Sequence, residues 1–448
     1  MKKYIKTGWM IGALLLTLGA CDSRLDIQPT QSIEESSALL TEQDVRITLI
    51  GAYDGMAENE VYGGAVQYTG ELLGDDRDVV FGGTFTTLDE IWRKTITPTN
   101  LVVRDLWLFS YNAINRANNV LSAIDKVGAD SRNDIEGQAR FIRGSLYFEL
   151  VRLFGKQWGD GNNAQNPGVP LVLTPTREVS DADSKPRNSV AEVYAQVIDD
   201  LTKAEQLISA DGSNAAFATK NAAAAMLARV YLQQGNYAAA RDAANRVIQS
   251  GKYSLTAAFG DAFADATNGS EVIFRIFVTE QDGINDMNTY FASARNQGRG
   301  DIRVQQKFRQ LYAAGDTRGT FLNTAGQNTF TSKFNDQFGD IPVIRLAEMY
   351  LIRAEANLRL NTSVGATPLA DVNRIRARAG AAPLTAVTLD DILRERRLEL
   401  AFEGFLIHDI RRTGGRVGNT AANANNLVLP VPQREVDTNK QLTQNPGY

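Results

Sequence analysis

The segment Asn221–Tyr253, NAAAAMLARVYLQQGNYAAARDAANRVIQSGKY, decides the fold class. Ala225, Ala228, Tyr231 and Leu232 recur at helical spacing. Gln234-Gly235-Asn236 interrupts that run, and Tyr237, Ala240, Ala244, Val247 and Ile248 resume it. The pattern predicts two short helices joined by a tight turn. Small residues on the shared face let the helices approach closely. A pair of this kind cannot bury its apolar face alone, so further pairs must stack on it.

The offsets of Ala228, Tyr231, Gly235, Tyr237 and Ala240 resemble a tetratricopeptide unit. Val247 stands where such units carry a small residue. Helical periodicity recurs in Glu42–Ala57, Leu106–Asp125, Ala139–Gly155, Ser189–Ile208, Leu346–Leu360 and Asp371–Gly380. The expected fold is therefore mostly α: a single helical body of about four TPR-like helix pairs. Long loops are expected at Glu58–Thr99 and Asp282–Asp301, and a small β-hairpin around Glu271–Val278. Loops of that length are often functional.

The N-terminus reads as a targeting segment. Lys2, Lys3 and Lys6 precede an apolar run from about Gly8 to Gly19. A run of roughly a dozen residues suits a secretory signal peptide, whereas a membrane span needs about 20. Leu18-Gly19-Ala20-Cys21 resembles a bacterial lipobox, so the single cysteine is expected to carry a lipid anchor after cleavage. The expected organisation is a signal peptide over 1–20, a lipidated tether over 21–37 and one helical domain over 38–448.

Composition narrows the chemistry. The formal charge of the full chain is −5. Removing the three leader lysines leaves 44 basic residues against 52 acidic ones. This acidic balance argues against nucleic acid as a partner. One cysteine and one histidine, His408, leave no basis for a multi-histidine or cysteine metal centre. No phosphate-binding glycine motif is present. In GDDRD, Asp75, Asp76 and Asp78 offer oxygen ligands for Ca²⁺. Arg77 and the lack of a full calcium loop favour a solvated turn. No cofactor is expected.

Several stretches together resemble the SusD/RagB family of Bacteroidetes outer-membrane lipoproteins. They are IPVIRLAEMYLIRAEA (Ile341–Ala356), VNRIRARAG (Val372–Gly380), LRERRLELAFEG (Leu393–Gly404), DIRRTG (Asp409–Gly414) and LVLPVPQREVDTNKQLTQNPGY (Leu427–Tyr448). WLFSYNAINRANNVL, ARFIRGSLYFELVRLFG and VPLVL extend the resemblance toward the N-terminus. It implies a non-catalytic, cell-surface nutrient-binding protein at the outer membrane. It also implies a SusC-like TonB-dependent transporter as partner, on which the chain acts as a lid over a captured glycan or peptide.

For ligand contact, the resemblance points to loops in the first part of the chain and to the region around Tyr290. It favours Tyr62, Tyr68, Trp92, Tyr290, Arg295 and Asn296; Trp158 in GKQWGDGNN adds another aromatic beside asparagines. Flat rings stack on sugar C–H faces while amides and charged groups bind hydroxyls. Near the C-terminus, Arg396 shares a helical face with Ile392 and Leu393. With Glu399, Glu403 and Glu355 it is expected to form a structural ion network, since a buried arginine must be paired. His408 is expected to be a hydrogen-bonded structural residue. Two other classes remain open at this point: a TPR lipoprotein scaffold for envelope assembly, and an all-helical glycoside hydrolase using two carboxylates.

Overall fold

The computed structural model describes residues 39–177, 183–211, 214–264 and 269–448. The leader, Cys21 and the tether lie outside the described residues. Thr41–Tyr448 form one compact unit. Its first third holds α1 (Glu42–Ala57), α2 (Ala65–Gly74), β1 (Val79–Phe81), α3 (Thr86–Arg93), α4 (Leu101–Ser122) and α5 (Ala129–Phe154). Then come α6 (Val190–Leu207), α7 (Lys220–Gln233), α8 (Tyr237–Gln249), β2 (Val272–Ile276) and α9 (Asp286–Phe291). Short elements follow: β3 (Ile302–Val304), α10 (Gln306–Arg309), β4 (Leu322–Ala325), β5 (Asn328–Thr331) and β6 (Ile341–Arg345). The chain closes with α11 (Leu346–Leu360), α12 (Pro368–Arg378), α13 (Leu389–Glu399), α14 (Leu406–Thr413), the β7–β8 ribbon (Arg416–Val417, Thr420–Ala421) and α15 (Gln433–Thr438).

Long helices pack as successive neighbours: α1 on α4, α4 on α5, α5 on α6, α6 on α7, α7 on α8, α8 on α11 and α11 on α12. Grouped as α1/α4, α5/α6, α7/α8 and α11/α12, they make four stacked pairs. The α7/α8 pair is the quoted segment. Ala225, Ala228, Ala240 and Ala244 are fully buried at its contact. Gly235 takes a positive φ of 70° between the helices, a conformation that glycine enters without steric cost. Thr41, Ser189 and Thr388 each form a reciprocal capping box with an acidic residue three positions on.

Two loop expectations are corrected. Glu58–Thr99 holds α2, β1 and α3, and every residue of α2 is buried. The helix is short and buried all round, its polar residues Gln67, Thr69 and Glu71 included, so it shows no solvent-facing polar stripe. It packs against α14 so closely that a Cβ at Gly70 would collide with the Gly404 carbonyl. The Glu271–Val278 run is not a local hairpin: β2 pairs antiparallel with β6, some seventy residues on, from Val272↔Arg345 to Ile276↔Ile341. A four-stranded antiparallel sheet in the order β1-β3-β5-β4 lies separately.

Charge is buried on a large scale at the C-terminal end. Arg345, 1 % exposed, uses its whole guanidinium: Nε and Nη2 reach Glu403 at 2.8 and 2.7 Å, and Nη1 reaches Glu271 at 2.6 Å and Glu399 at 3.1 Å. Glu399 also accepts from Arg318 and Arg378. Lys333 donates to Glu403 at 2.6 Å and to the carbonyls of Glu399 and Ala401. Arg318 closes on Asp316 and Glu395, and Arg376 on Glu395. Arg318, Lys333, Arg345, Arg376 and Arg378 thus balance Glu271, Asp316, Glu395, Glu399 and Glu403. The surrounding guanidinium groups hold the Glu399 carboxyl well below the usual range against the opposing effect of burial.

The ion-network expectation needs a correction of membership. Arg396 does not meet Glu399 or Glu403; its Nε and Nη2 bind Asp409 at 3.1 and 3.2 Å. Glu355 belongs to that second group, paired bidentately with Arg412, which also holds Asp409. His408 is buried as expected, but neither ring nitrogen has a hydrogen-bond partner. Burial and the charges of Arg152, Arg411 and Arg229 keep it neutral.

Glu399→Ala is expected to destabilise the fold by about 3–5 kcal/mol, because it takes a shared carboxylate from Arg318, Arg345 and Arg378 and leaves the buried cluster with one uncompensated positive charge. Thermal denaturation at neutral pH checks this. Glu399 has a depressed carboxyl pKa, so its contribution is present above the unfolded value of 4.5 and is lost as pH falls below it. The gap in Tm between wild type and variant should therefore narrow on acidification, and a gap that is small or independent of pH would contradict the assignment.

Candidate ligand site

The first sheet builds the site. Its β1–β3 register pairs Phe81 with Ile302. Carried outward, the same register sets Thr84 opposite Arg299, and Arg299 Nη2 donates to Thr84 Oγ1 at 3.2 Å. The guanidinium lies 4.5 Å from the ring centre of Phe85 and is steadied by Asp301 at 3.0 Å. Phe85 is 42 % exposed. Its ring meets Tyr290 of α9 edge-on at 6.0 Å, and Tyr290 meets Tyr68 of α2 edge-on at 5.1 Å. Edge-to-face contact is the favoured geometry for such rings; Tyr290 and Tyr68 are buried behind Phe85, which is the ring open to solvent.

Asp286, the first residue of α9, stands beside both tyrosines, and its charge acts on both hydroxyls. Among the described residues, no group hydrogen-bonds or ion-pairs with the Asp286 carboxylate, the Tyr68 hydroxyl or the Tyr290 hydroxyl. Three polar tips thus converge with nothing on them. Partial burial and the neighbouring Glu60 carboxylate push the Asp286 carboxyl up to about 7. Burial, with the Asp286 charge, raises both tyrosines.

Tyr68 and Tyr290 are therefore the two sequence candidates that the fold brings together. The others lie elsewhere or face inward. Tyr62 is buried with its hydroxyl on Glu149 at 2.7 Å, in a pair closed by Arg152. Trp92 donates from Nε1 to Asp75 at 2.9 Å. Trp158 packs on Tyr194 at 5.0 Å. Asn296 donates to Asn335 at 2.7 Å, and Arg295 is exposed on the turn after α9. Phe85, Asp286 and Arg299, which the fold sets beside these tyrosines, were not among the sequence candidates. Only the β1–β3 pairing, a contact over some two hundred residues, places Phe85 and Arg299 together.

The Asp75 cluster is a turn built by protein groups. Its carboxylate accepts from the backbone N–H groups of Arg77, Asp78 and Val79 and from Trp92. No group of three or more His, Cys, Asp or Glu residues among the described residues could hold a metal ion.

With this geometry in view, comparison with known proteins is informative. Two family profiles match: residues 25–232 match SusD-like proteins described as starch-binding and associating with the outer membrane, and residues 331–426 match the SusD family. The chain belongs to the SusD/RagB family. It is a SusD-like binding protein and not an enzyme. SusD-like protein P2 of Formosa agariphila is 26 % identical, with the whole of both chains covered. The starch-binding protein SusD of Bacteroides thetaiotaomicron is 31 % identical over 24 % of this chain and 22 % of its own. A crystal structure of a SusD superfamily protein from Bacteroides vulgatus superposes with a TM-score of 0.81 at 27 % identity, covering 91 % of this chain and 99 % of that one.

Asp286 yields a pH prediction for this family member. An acid with its pKa raised from 3.8 to about 7 in the fold destabilises the fold progressively as pH rises between those values. Asp286→Asn is therefore expected to raise Tm more at pH 8 than at pH 4, by differential scanning fluorimetry. An equal shift at both pH values would refute the raised pKa.

Proposed function

We propose that the chain is a cell-surface glycan-capturing lipoprotein, held at the outer membrane by a lipid on Cys21. Its role is to act as a lid on a SusC-like TonB-dependent transporter and pass the captured glycan inward. The observation that carries this reading is the platform of Phe85, Tyr290 and Tyr68 with its three unpartnered polar tips. Rings accept the C–H faces of a sugar, and the free carboxylate, the two hydroxyls and Arg299 accept or donate to its hydroxyls. A binding protein needs only such a surface. Family membership supports the same reading, as do the described starch-binding and outer-membrane association of the matching family.

Two experiments test it. Phe85→Ala and Tyr290→Ala are expected to weaken binding of the preferred oligosaccharide by at least about tenfold, roughly 1.4 kcal/mol. Phe85 is well exposed, so its variant should keep the wild-type Tm, and calorimetric titration reads the loss directly. Unchanged affinity in both variants would place the ligand elsewhere. Cys21→Ala is expected to move the protein from the outer-membrane fraction to the soluble one, and full retention in the membrane would refute the lipid anchor.

A further inference from the structure

A cavity of about 810 Å³ opens beside Asn285, the N-cap of α9. Its size falls in the range of ligand pockets. Tyr53, Phe217, Tyr253 and Phe277 supply its aromatic lining, with Glu58 and Asn59 at the end of α1. Phe277 is 56 % and Phe217 43 % exposed. Two exposed rings lining one concavity make a contiguous apolar patch of the kind that marks ligand grooves.

This cavity joins the platform. Asn285 lines the cavity, and Tyr290, five residues later, belongs to the platform; at 1.5 Å per residue that is about 7.5 Å along the helix. Gly63 lines the cavity, and its carbonyl accepts the N–H of Asp286. Glu60 lies between the two, and its charge acts on Glu58 on one side and on Asp286, Tyr68 and Tyr290 on the other.

Acidic residues predominate along this path: Glu58, Glu60, Asp282 and Asp286 border it, with Asp54, which Arg116 holds at 3.2 Å. The two basic residues of the cavity are occupied: Lys252 by Asp211 at 2.7 Å and Arg275 by Asp340 at 2.7 Å. Glu58 has no hydrogen-bond or ion-pair partner among the described residues. Like-charge repulsion and the lack of a free cation would both oppose a uronate or sulfated chain here.

We propose that the ligand path runs from the Phe85–Tyr290 platform past Glu60 into the Tyr53–Phe217–Phe277 cavity, and that the chain therefore selects an extended, neutral glycan of several units. This rests on the glycan-capture reading above and adds to it the length and charge class of the ligand.

The test is calorimetric titration of the full chain with malto-, laminari- and xylo-oligosaccharide ladders, and with polygalacturonate as the anionic probe. For the ladder that binds, the longest member is expected to bind at least about tenfold more tightly than its disaccharide. Phe277→Ala and Phe217→Ala should remove about tenfold of the affinity for the long member, leave the disaccharide within about twofold, and leave Tm unchanged. Equal affinity for short and long members, or long-chain binding indifferent to both variants, would overturn the path while glycan capture stands. Polygalacturonate binding as tightly as the neutral ladders would overturn the charge class. Binding of no glycan by the wild type, with a basic peptide bound instead, would overturn the capture reading and this inference with it.

Discussion

The contact of Arg345 with Glu399 and Glu403 holds the C-terminal architecture together. Arg345 is the last residue of β6 and the N-cap of α11. Its partners sit at the end of α13 and in the turn after it, on Glu271 just before β2, and, through shared carboxylates, on Arg378 at the end of α12. Two strands, three helices and a turn, drawn from distant parts of the chain, are thus referred to one point. A buried charge without its partner costs several kcal/mol, whereas a complete and neutral set is tolerated. The geometry is consequently all-or-nothing: these elements must arrive together. Phe263 lies about 5 Å below the guanidinium of Arg345 and the ammonium of Lys333, adding a π face to the same cluster.

That anchoring has a consequence for the ligand site. The turn after α13 carries Gly404, whose N–H donates to Glu71 of α2 at 3.0 Å. Glu71 and Asp78 also hold Arg397 of α13. The helix that presents Tyr68 is therefore clamped to the ion-paired C-terminal end, and the sheet that presents Phe85 starts beside it. Ring positions in a binding platform need this kind of support, because a rigid site loses less entropy when it takes up its ligand. Asp286 has no hydrogen-bond or ion-pair partner among the described residues, and a partly buried carboxylate in that state is held at a cost that a bound hydroxyl would offset.

A contrast between two carboxylates shows how environment divides their roles. Glu399 is surrounded by three arginines and is kept ionised far into acid. Asp286 faces another carboxylate and two phenols, and titrates near neutrality. Both are partly or wholly removed from water; the sign of the neighbouring charge makes one a structural fixture and leaves the other available to a ligand. The same logic explains why the acidic residues of the 393–404 helix and turn, which share a motif, have no catalytic character.

Local patterns in the chain were sufficient for the helix pairs. Ala228, Gly235 and Ala240 encode a close-packed turn of helices through small side chains and one positive φ, and Thr41, Ser189 and Thr388 mark helix starts by their own capping chemistry. The family motifs, Ile341–Ala356 and Leu393–Gly404 foremost, were likewise readable; of the ligand candidates that the resemblance favoured, Tyr68 and Tyr290 are the two that meet in the fold. Periodicity could not see α2, because a helix buried all round has no polar face to alternate with. Nor could it say that Arg396 turns to Asp409 rather than to Glu399, since both partners lie within reach of the same helical face. The platform was decided by tertiary structure alone: Phe85 and Arg299 are brought together by a β1–β3 register, and Asp286 is set between two tyrosines by α9 packing on α2. Long-range pairing of that kind depends on which backbones meet, and no residue carries that information in its immediate neighbours.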